Sequence, residues 1–340
     1  MTTTSVIDQR RQWGMSLVEL MVALTIGTFL LAGTITVFAK TRDLYRTNDS
    51  AARLQETARY AMGTLEADLR MANYWGLMSR ADLIENGPTL DLANPPNVDP
   101  TYALPAELAG YAATIDQCGA MWAVKLPAYV EATDSYTLGC VAYGAGAVAG
   151  ADTLTIRRVS TNVIAPAALA ASAGQIKIQG SRIQGSLFAS ATLPGGYAAP
   201  LSETRALIVN GYYIDQDSDG RDRTPSLRRQ QLDVAGGAPV ITDLQIVPGV
   251  EDMQVELGAD FNNDQNADYF VPPNIAIPAG DQIVAVRVWL MVRAEQQETG
   301  FTDTNTYDYG SRTGAAAYTP GDAFRRVLVS KTIALRNTRR

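Results

Sequence analysis

The sequence predicts an α+β protein in which one long N-terminal helix packs on an antiparallel β-sheet head. Two observations predict the helix: an apolar run from Met15 to Phe38, and a later apolar pattern that repeats every three to four residues. No proline occurs between Met1 and Pro88, so one helix can run from Met15 to about Tyr74. The third observation concerns the rest of the chain, where short β-branched runs alternate with Gly, Pro, Asn and Asp.

The composition of the 340 residues narrows the classes of function. An apolar fraction of 46% is typical of a folded protein. The net charge of -7 argues against nucleic-acid binding, which needs clustered Lys and Arg. The chain contains no histidine, which excludes His-based triads, His-ligated zinc and imidazole proton shuttles. Since no nucleophile–base motif or phosphate-binding loop is recognisable either, we predict that the protein is not an enzyme.

The N-terminus has the layout of a membrane-anchored export sequence. Residues 1–14 are polar, and the following 24-residue run to Phe38 contains a single charge, Glu19. As a helix this run would be about 36 Å long, enough to span the hydrocarbon core of a bilayer. A cleaved secretory signal fits poorly, because its apolar region is shorter and small residues follow it. An ordinary signal anchor leaves Glu19 unexplained, since a charge inside the membrane costs roughly 2.5–3.5 kcal/mol.

The segment from Gly14 to Ala23, GMSLVELMVA, resembles the cleavage and methylation motif of type IV prepilins. In that family a membrane peptidase cuts after the glycine and methylates the new N-terminus. The resemblance implies cleavage between Gly14 and Met15, N-methylation of Met15, and an assembly role for Glu19 at the fifth mature position. There the carboxylate would neutralise the N-terminal amine of a neighbouring subunit, a pair that a low dielectric strengthens. The first mature residue is Met here, where the family most often has Phe.

The second half of the predicted helix carries one apolar face, whose residues are Leu54, Ala58, Ala61, Met62, Leu65, Leu69 and Ala72. Their spacing predicts that this half covers the sheet of the head, whereas the first half packs against lipid or other pilins. Gly76 is the predicted stop, and Gly27, Gly33 and Gly63 are weak points at which the helix could bend. This two-part helix is the mark of the pilin fold.

Two further segments resemble PilW-type minor pilins of type IV pili. The first, residues 54–76, contains Arg59-Tyr60-Ala61, Asp68-Leu69-Arg70 and Tyr74-Trp75-Gly76. The second is the tail from Arg325 to Asn337, which resembles the last strand of that family. The resemblances cover roughly the first 80 and the last 20 residues, and the middle of the chain is only loosely similar.

The predicted organisation is a leader (1–14), a transmembrane half of the helix (15–38), an amphipathic half (39–76) and a β-rich head (77–340). Residues 85–118 and 298–322 are predicted to be surface loops. Ala206–Ile214 and Leu227–Val234 are predicted to form a hairpin. The other predicted strands are Thr153–Val159, Gln175–Gln179, Gly249–Leu257, Gln282–Arg293 and Arg325–Leu335.

The two cysteines, Cys118 and Cys140, have 21 residues between them. In a reducing compartment they would be two unrelated buried thiols, whereas in an exported head they would form one disulfide. Such a bond would stabilise the fold by roughly 3 kcal/mol in the chain-entropy model. Because the N-terminus indicates export, we predict a disulfide between Cys118 and Cys140.

Two acidic runs are candidate calcium sites. The first, with Asp215, Asp217, Asp219 and Asp222, matches the opening of a calcium loop but has Ser226 at its twelfth position. The second places side-chain oxygens on Asp260, Asn262, Asp264 and Asp268, with Gln265 where the loop prefers Gly. A solvated turn explains either composition equally well. No cofactor other than calcium is suggested.

The resemblance implies a minor pilin that is processed by prepilin peptidase and helps to prime pilus assembly near the fibre tip. Its expected partners are other minor pilins, the major pilin and the inner membrane. The head would lie in the periplasm and then in a fibre at the cell surface, with roles in motility or adhesion. Two alternatives remain: a pseudopilin of a type II secretion system, and an adhesin head displayed by the pilus.

Overall fold

One long helix dominates the N-terminal part of the chain. The computed structural model describes residues 14–88, 102–197 and 201–338. Its first helix, α1, is continuous from Leu17 to Leu69. The chain divides into two compact units, Met1–Ala52 and Arg53–Arg340, so the second half of α1 belongs to the unit that contains the head.

Helix α1 ends about five residues before the predicted end near Tyr74. The chain leaves the helix through Asn73, which has a φ of 61°. Its side-chain amide donates to the carbonyl oxygen of Asn337 at 2.8 Å, and its side-chain oxygen accepts from the indole of Trp75 at 2.6 Å. Asparagine tolerates the left-handed region because its polar side chain can bond locally. Asn73 therefore ends the helix ahead of Gly76, the predicted stop.

Within the described residues, the head contains two short α-helices and twelve strands. The helices are α2 (Ala106–Ala109) and α3 (Ala112–Ile115). The strands are β1 (Ile84–Glu85), β2 (Val130–Thr133), β3 (Thr153–Ile164), β4 (Lys177–Gly180), β5 (Gly185–Phe188), β6 (Glu203–Asp215), β7 (Ser226–Ala235), β8 (Ala238–Pro248), β9 (Val250–Asp260), β10 (Tyr269–Val271), β11 (Gln282–Arg293) and β12 (Arg326–Ala334).

These strands form two sheets among the described residues. The larger has eight strands in the order β1-β5-β4-β6-β3-β2, with β7 also paired to β6 and β8 paired to β7. The smaller has the order β10-β9-β11-β12. Every pairing is antiparallel except β1 with β5. The predicted α+β class and the long helix on an antiparallel head are confirmed, but the head has two sheets and one parallel pair.

Each of the seven predicted strands overlaps an observed one, namely β3, β4, β6, β7, β9, β11 and β12. The predicted hairpin is confirmed as β6 and β7, with Tyr212 opposite Arg229. Strand β8 was missed because Pro239 and Pro248 stand near its ends. Since β8 pairs only with β7, it lies at an edge of the sheet, where proline is tolerated.

The predicted surface loop at 85–118 is wrong in its second half. Residues 89–101 lie outside the described part of the chain. Helices α2 and α3 follow, and their Leu108 and Ile115 are fully buried. Both side chains belong to an apolar cluster with Trp122, which explains why this segment folds against the head.

The apolar face predicted for the second half of α1 is confirmed. All seven of its residues are buried: Leu54, Ala58, Ala61, Met62, Leu65, Leu69 and Ala72. They share one core with side chains from both sheets, such as Tyr212 of β6 and Val288 of β11. At about 25 cal/mol per Å² of apolar surface, this burial is the main force that joins the helix to the head.

The carboxyl of Asp152 introduces a pH dependence into the core of the head. The residue is 1% exposed, one oxygen accepts from the backbone N–H of Val255 at 2.8 Å, and the other has no partner among the described residues. Burial raises the pKa of Asp152 to about 7, and nearby Asp134 and Asp252 act in the same direction.

We expect the head to lose stability as the pH rises from about 4 to about 7, because the unfolded carboxyl ionises first. Three pKa units correspond to about 4 kcal/mol. Urea unfolding of the full chain in detergent should show the fall, and Asp152→Asn should remove most of it. Asp233→Asn, at an exposed position and not among the charges that act on Asp152, is the matched control. An unchanged slope in Asp152→Asn would contradict the assignment.

Candidate functional site

The residues of the predicted cleavage motif lie at the exposed start of α1. Gly14 and Met15 precede the helix in a non-helical conformation, and both are exposed. No atom lies within 4 Å of a Cβ built on Gly14. A protease needs an accessible extended backbone, and glycine adds no side chain that could obstruct it. Glu19 is in the first turn of the helix and is also exposed. Leader residues 1–13 lie outside the described part of the chain.

The first half of α1 is built for an apolar environment. An 18-residue window reaches a mean hydropathy of 2.1, and none of it is buried within the protein. Large apolar side chains such as Leu17 and Phe29 are 73% and 81% exposed. The hydroxyls of Thr34 and Thr36 donate to carbonyl oxygens one turn earlier at 2.8 Å, which satisfies them without water. By length and composition this helix can cross a membrane, although a signal sequence meets the same criteria.

Asp68 anchors the second half of α1 to the larger sheet. Its carboxylate accepts from Arg158 Nε and Asn210 Nδ2, both at 2.7 Å, and from the hydroxyl of Tyr212 at 3.0 Å. The residue is 6% exposed. Sequence reasoning gave Asp68 no role beyond its place in the Asp-Leu-Arg resemblance. The one feature of the sequence that could have indicated this role is the position of an acidic residue next to the apolar face, between Leu65 and Leu69.

The two cysteines form a disulfide in the head, between Cys118 and Cys140. Both residues are buried, and the loop that they close begins after α3 and contains β2. Arg157, on β3, forms hydrogen bonds to the backbone of this loop. Its guanidinium donates to the carbonyl oxygens of Trp122 at 2.8 Å and Ala128 at 2.6 Å.

The first acidic run caps its own turn. Asp217 accepts from the backbone N–H groups of Ala145 and Arg223, both at 2.7 Å. Asp219 forms an ion pair with Arg228 at 2.8 Å, and Asp215 accepts from the N–H of Asp217 at 2.9 Å. Burial raises the pKa of Asp215 to about 6, which is unfavourable for a site that must stay ionised.

The second run behaves in the same way. Asp260 accepts from the N–H groups of Asn263 at 2.6 Å and Gln265 at 2.8 Å, and both of those residues have positive φ. Asp268 accepts from the N–H of Phe261 at 3.0 Å. Within residues 14–88, 102–197 and 201–338, no three His, Cys, Asp or Glu side chains come together to hold a metal ion. Neither calcium hypothesis, including Asp222, Asn262 and Asp264, gains support from this geometry.

The chain matches two models of protein families. Residues 211–337 match the family of type IV pilus-assembly protein W, and residues 9–35 match the prokaryotic N-terminal methylation motif. The first match covers a little over a third of the chain and includes the tail that resembles the last strand of PilW-type pilins. The resemblance at residues 54–76 lies outside both matches and stays a prediction.

Comparison with solved structures finds a type IV-like pilin from Thermus thermophilus. It is 14% identical over 56% of this chain and 79% of that chain, with a TM-score of 0.26. No curated protein matches the sequence at a significant level.

Proposed function

We propose that this chain, a PilW-like minor pilin of type IV pili, primes fibre assembly with other minor pilins at or near the fibre tip. The observation that carries the proposal is the prepilin-type motif on an exposed, membrane-competent helix whose second half is buried in the head. The second half of α1 then holds the helix to the head, while the first half offers an apolar surface to lipid or to neighbouring helices.

In this proposal, prepilin peptidase cuts between Gly14 and Met15 and methylates Met15. Before assembly, residues 15–38 hold the chain in the inner membrane and the head lies in the periplasm. The disulfide supports that compartment, since cysteines stay reduced in the cytosol. After assembly, the same helix packs among other pilins, and Glu19 pairs with the N-terminal amine of a neighbour. The role is structural, and we assign no catalysis to the head.

The mass of the mature N-terminal peptide tests the pathway. In cells with prepilin peptidase we expect a peptide that begins at N-methylated Met15, because Gly14 and Met15 are exposed ahead of the helix. In cells without the peptidase, the peptide should begin at Met1 or at a residue before Gly14. Gly14→Leu should also keep the leader, since the side chain obstructs the cleavage site. An intact leader in both strains would leave a signal-anchored protein and contradict the proposal.

A deletion strain separates the remaining roles. Loss of fibres would support assembly, whereas normal fibres with lost surface attachment would favour an adhesin head. Normal fibres with a defect in type II secretion would indicate a pseudopilin. The match to pilus-assembly protein W over residues 211–337 supports the first outcome.

A further inference from the structure

A groove of about 990 Å³ runs along the exposed side of α1 in the head unit. One wall is helical and includes Arg59, Tyr60 and Gly63. The opposite wall comes from the larger sheet and includes Arg158 of β3 and Arg229 of β7. Tyr60 remains 58% exposed although it faces this concave surface. The groove therefore has room for a further polypeptide segment beside the helix.

The groove carries an excess of positive charge. Four arginines line it, against the acidic residues Glu56, Asp68 and Glu295. Asp68 is already bound by Arg158 at 2.7 Å, and Glu295 is bound by Arg221, which is not part of the lining. These pairings neutralise two of the three acidic groups and one of the four arginines. The excess contrasts with the net charge of -7 for the whole chain.

Arg229 is the best-placed group for an incoming acceptor. Its Nε is buried and has no hydrogen-bond partner among the described residues. Neither Arg229 nor Arg59 forms an ion pair within that part of the chain. A buried guanidinium nitrogen without an acceptor costs free energy, and a carboxylate is the group whose geometry matches the guanidinium.

We propose that this groove binds an acidic segment of a neighbouring pilin, with a carboxylate on Arg229. The inference rests on the proposed function, because a fibre is what brings other pilins alongside α1. Three features favour a polypeptide over a free anion: the length of the groove along the helix, its apolar contribution from Tyr60 and Val247, and its continuity with the helix that carries the prepilin motif. Charge complementarity selects an acidic partner segment.

Gly63 offers a steric test. Apart from the backbone of its own helix, no atom lies within 4 Å of a Cβ built there, so a side chain at this position can extend into the groove. We expect Gly63→Trp to lower the amount of full-length protein in sheared pili at least about fivefold at equal cellular levels, the size of one lost anchor contact. Ile183→Trp, at a 77% exposed position that does not line the groove, is the matched control and should be incorporated normally.

Substitutions at Arg229 test the charge. Arg229→Gln should lower incorporation at least about threefold, and Arg229→Lys should recover most of it, since the positive charge returns. All variants must keep the wild-type unfolding midpoint. Incorporation of Gly63→Trp and Arg229→Gln at wild-type levels would overturn the proposal. Absence of the wild-type protein from pili would instead overturn the proposed function.

A photo-reactive p-benzoylphenylalanine in place of Tyr60, an exposed aromatic residue of the groove, identifies the occupant in cells that carry pili. We expect cross-links to an acidic segment of another pilin subunit, located by mass spectrometry, and their loss in the Arg229→Gln background. Cross-links to lipid, to a basic or neutral segment, or to no molecule in assembled fibres would contradict the proposal. Added inorganic phosphate should not compete, and competition by phosphate would indicate a free-anion site instead.

Discussion

Replacing Glu19 by alanine is expected to cut the amount of this protein in pili at least about tenfold, while membrane insertion and cleavage after Gly14 continue. The carboxylate is the single charge between Met15 and Phe38 and lies in the first turn of α1. If it pairs with the N-terminal amine of a neighbour in a low-dielectric bundle, the pair is worth far more than in water. A loss of only about 1.4 kcal/mol already gives the tenfold effect.

The measurement is the ratio of fibre-bound to membrane-bound protein, with the mature N-terminus checked by mass. Glu19→Gln keeps the size of the side chain and removes its charge, so this variant should be incorporated into fibres as poorly as Glu19→Ala. Thr25→Ala, also in the exposed part of the helix, removes a hydroxyl that bonds only to its own backbone and should incorporate normally. Normal incorporation of Glu19→Ala would exclude the pairing as the basis of subunit register.

The local patterns of the sequence were enough to predict the long helix and most strands. The seven positions from Leu54 to Ala72 repeat at helical spacing, and every one of them is buried. Strand β11, which has a strong β-branched content, was predicted with its bounds. Strand β8 was missed because proline lowers strand propensity in general, whereas an edge position tolerates it.

Long-range pairing could not be predicted in the same way. The division into two sheets depends on which strands meet, and nothing in the spacing of β9 to β12 sets them apart from β3 to β8. Acidic runs are ambiguous for a related reason, because Asp and Asn cap turns with the oxygens that would bind calcium. In the structure, the carboxylates of Asp217 and Asp260 are occupied by backbone N–H groups.

Buried charges were the least predictable feature, since arginine and aspartate are usually exposed. Arg157 follows an apolar alternation in β3 and would be read as an outward-facing residue. Instead it is fully buried and reaches across to the disulfide loop. Asp68 was visible only as a polar residue beside the apolar face of α1, and its three partners come from distant strands.

Neutralising Glu131 is expected to destabilise the head strongly. Its carboxylate lies 3.1 Å from Arg157 and 2.8 Å from Lys125, and Arg157 is fully buried. Burial alone would raise the pKa of Glu131. The charges of Arg157 and Lys125 have the larger effect, so the pKa of Glu131 is lowered. Glu131→Gln leaves a buried guanidinium without a counter-charge, a loss typically worth about 3–5 kcal/mol.

A double-mutant cycle separates the pair from the packing around it. Urea unfolding of the full chain in detergent should show the loss for Glu131→Gln and a comparable loss for Arg157→Met, which also frees the carbonyl oxygens of Trp122 and Ala128. In the Arg157→Met background, Glu131→Gln should cost much less, because no buried charge remains to be compensated. Glu295→Gln, in an ion pair whose side chains are about half exposed, is the control and should change stability by less than about 1 kcal/mol. Additive effects of Glu131→Gln and Arg157→Met would show that the buried pair does not couple, and that the disulfide loop is held by the carbonyl contacts of Arg157 alone.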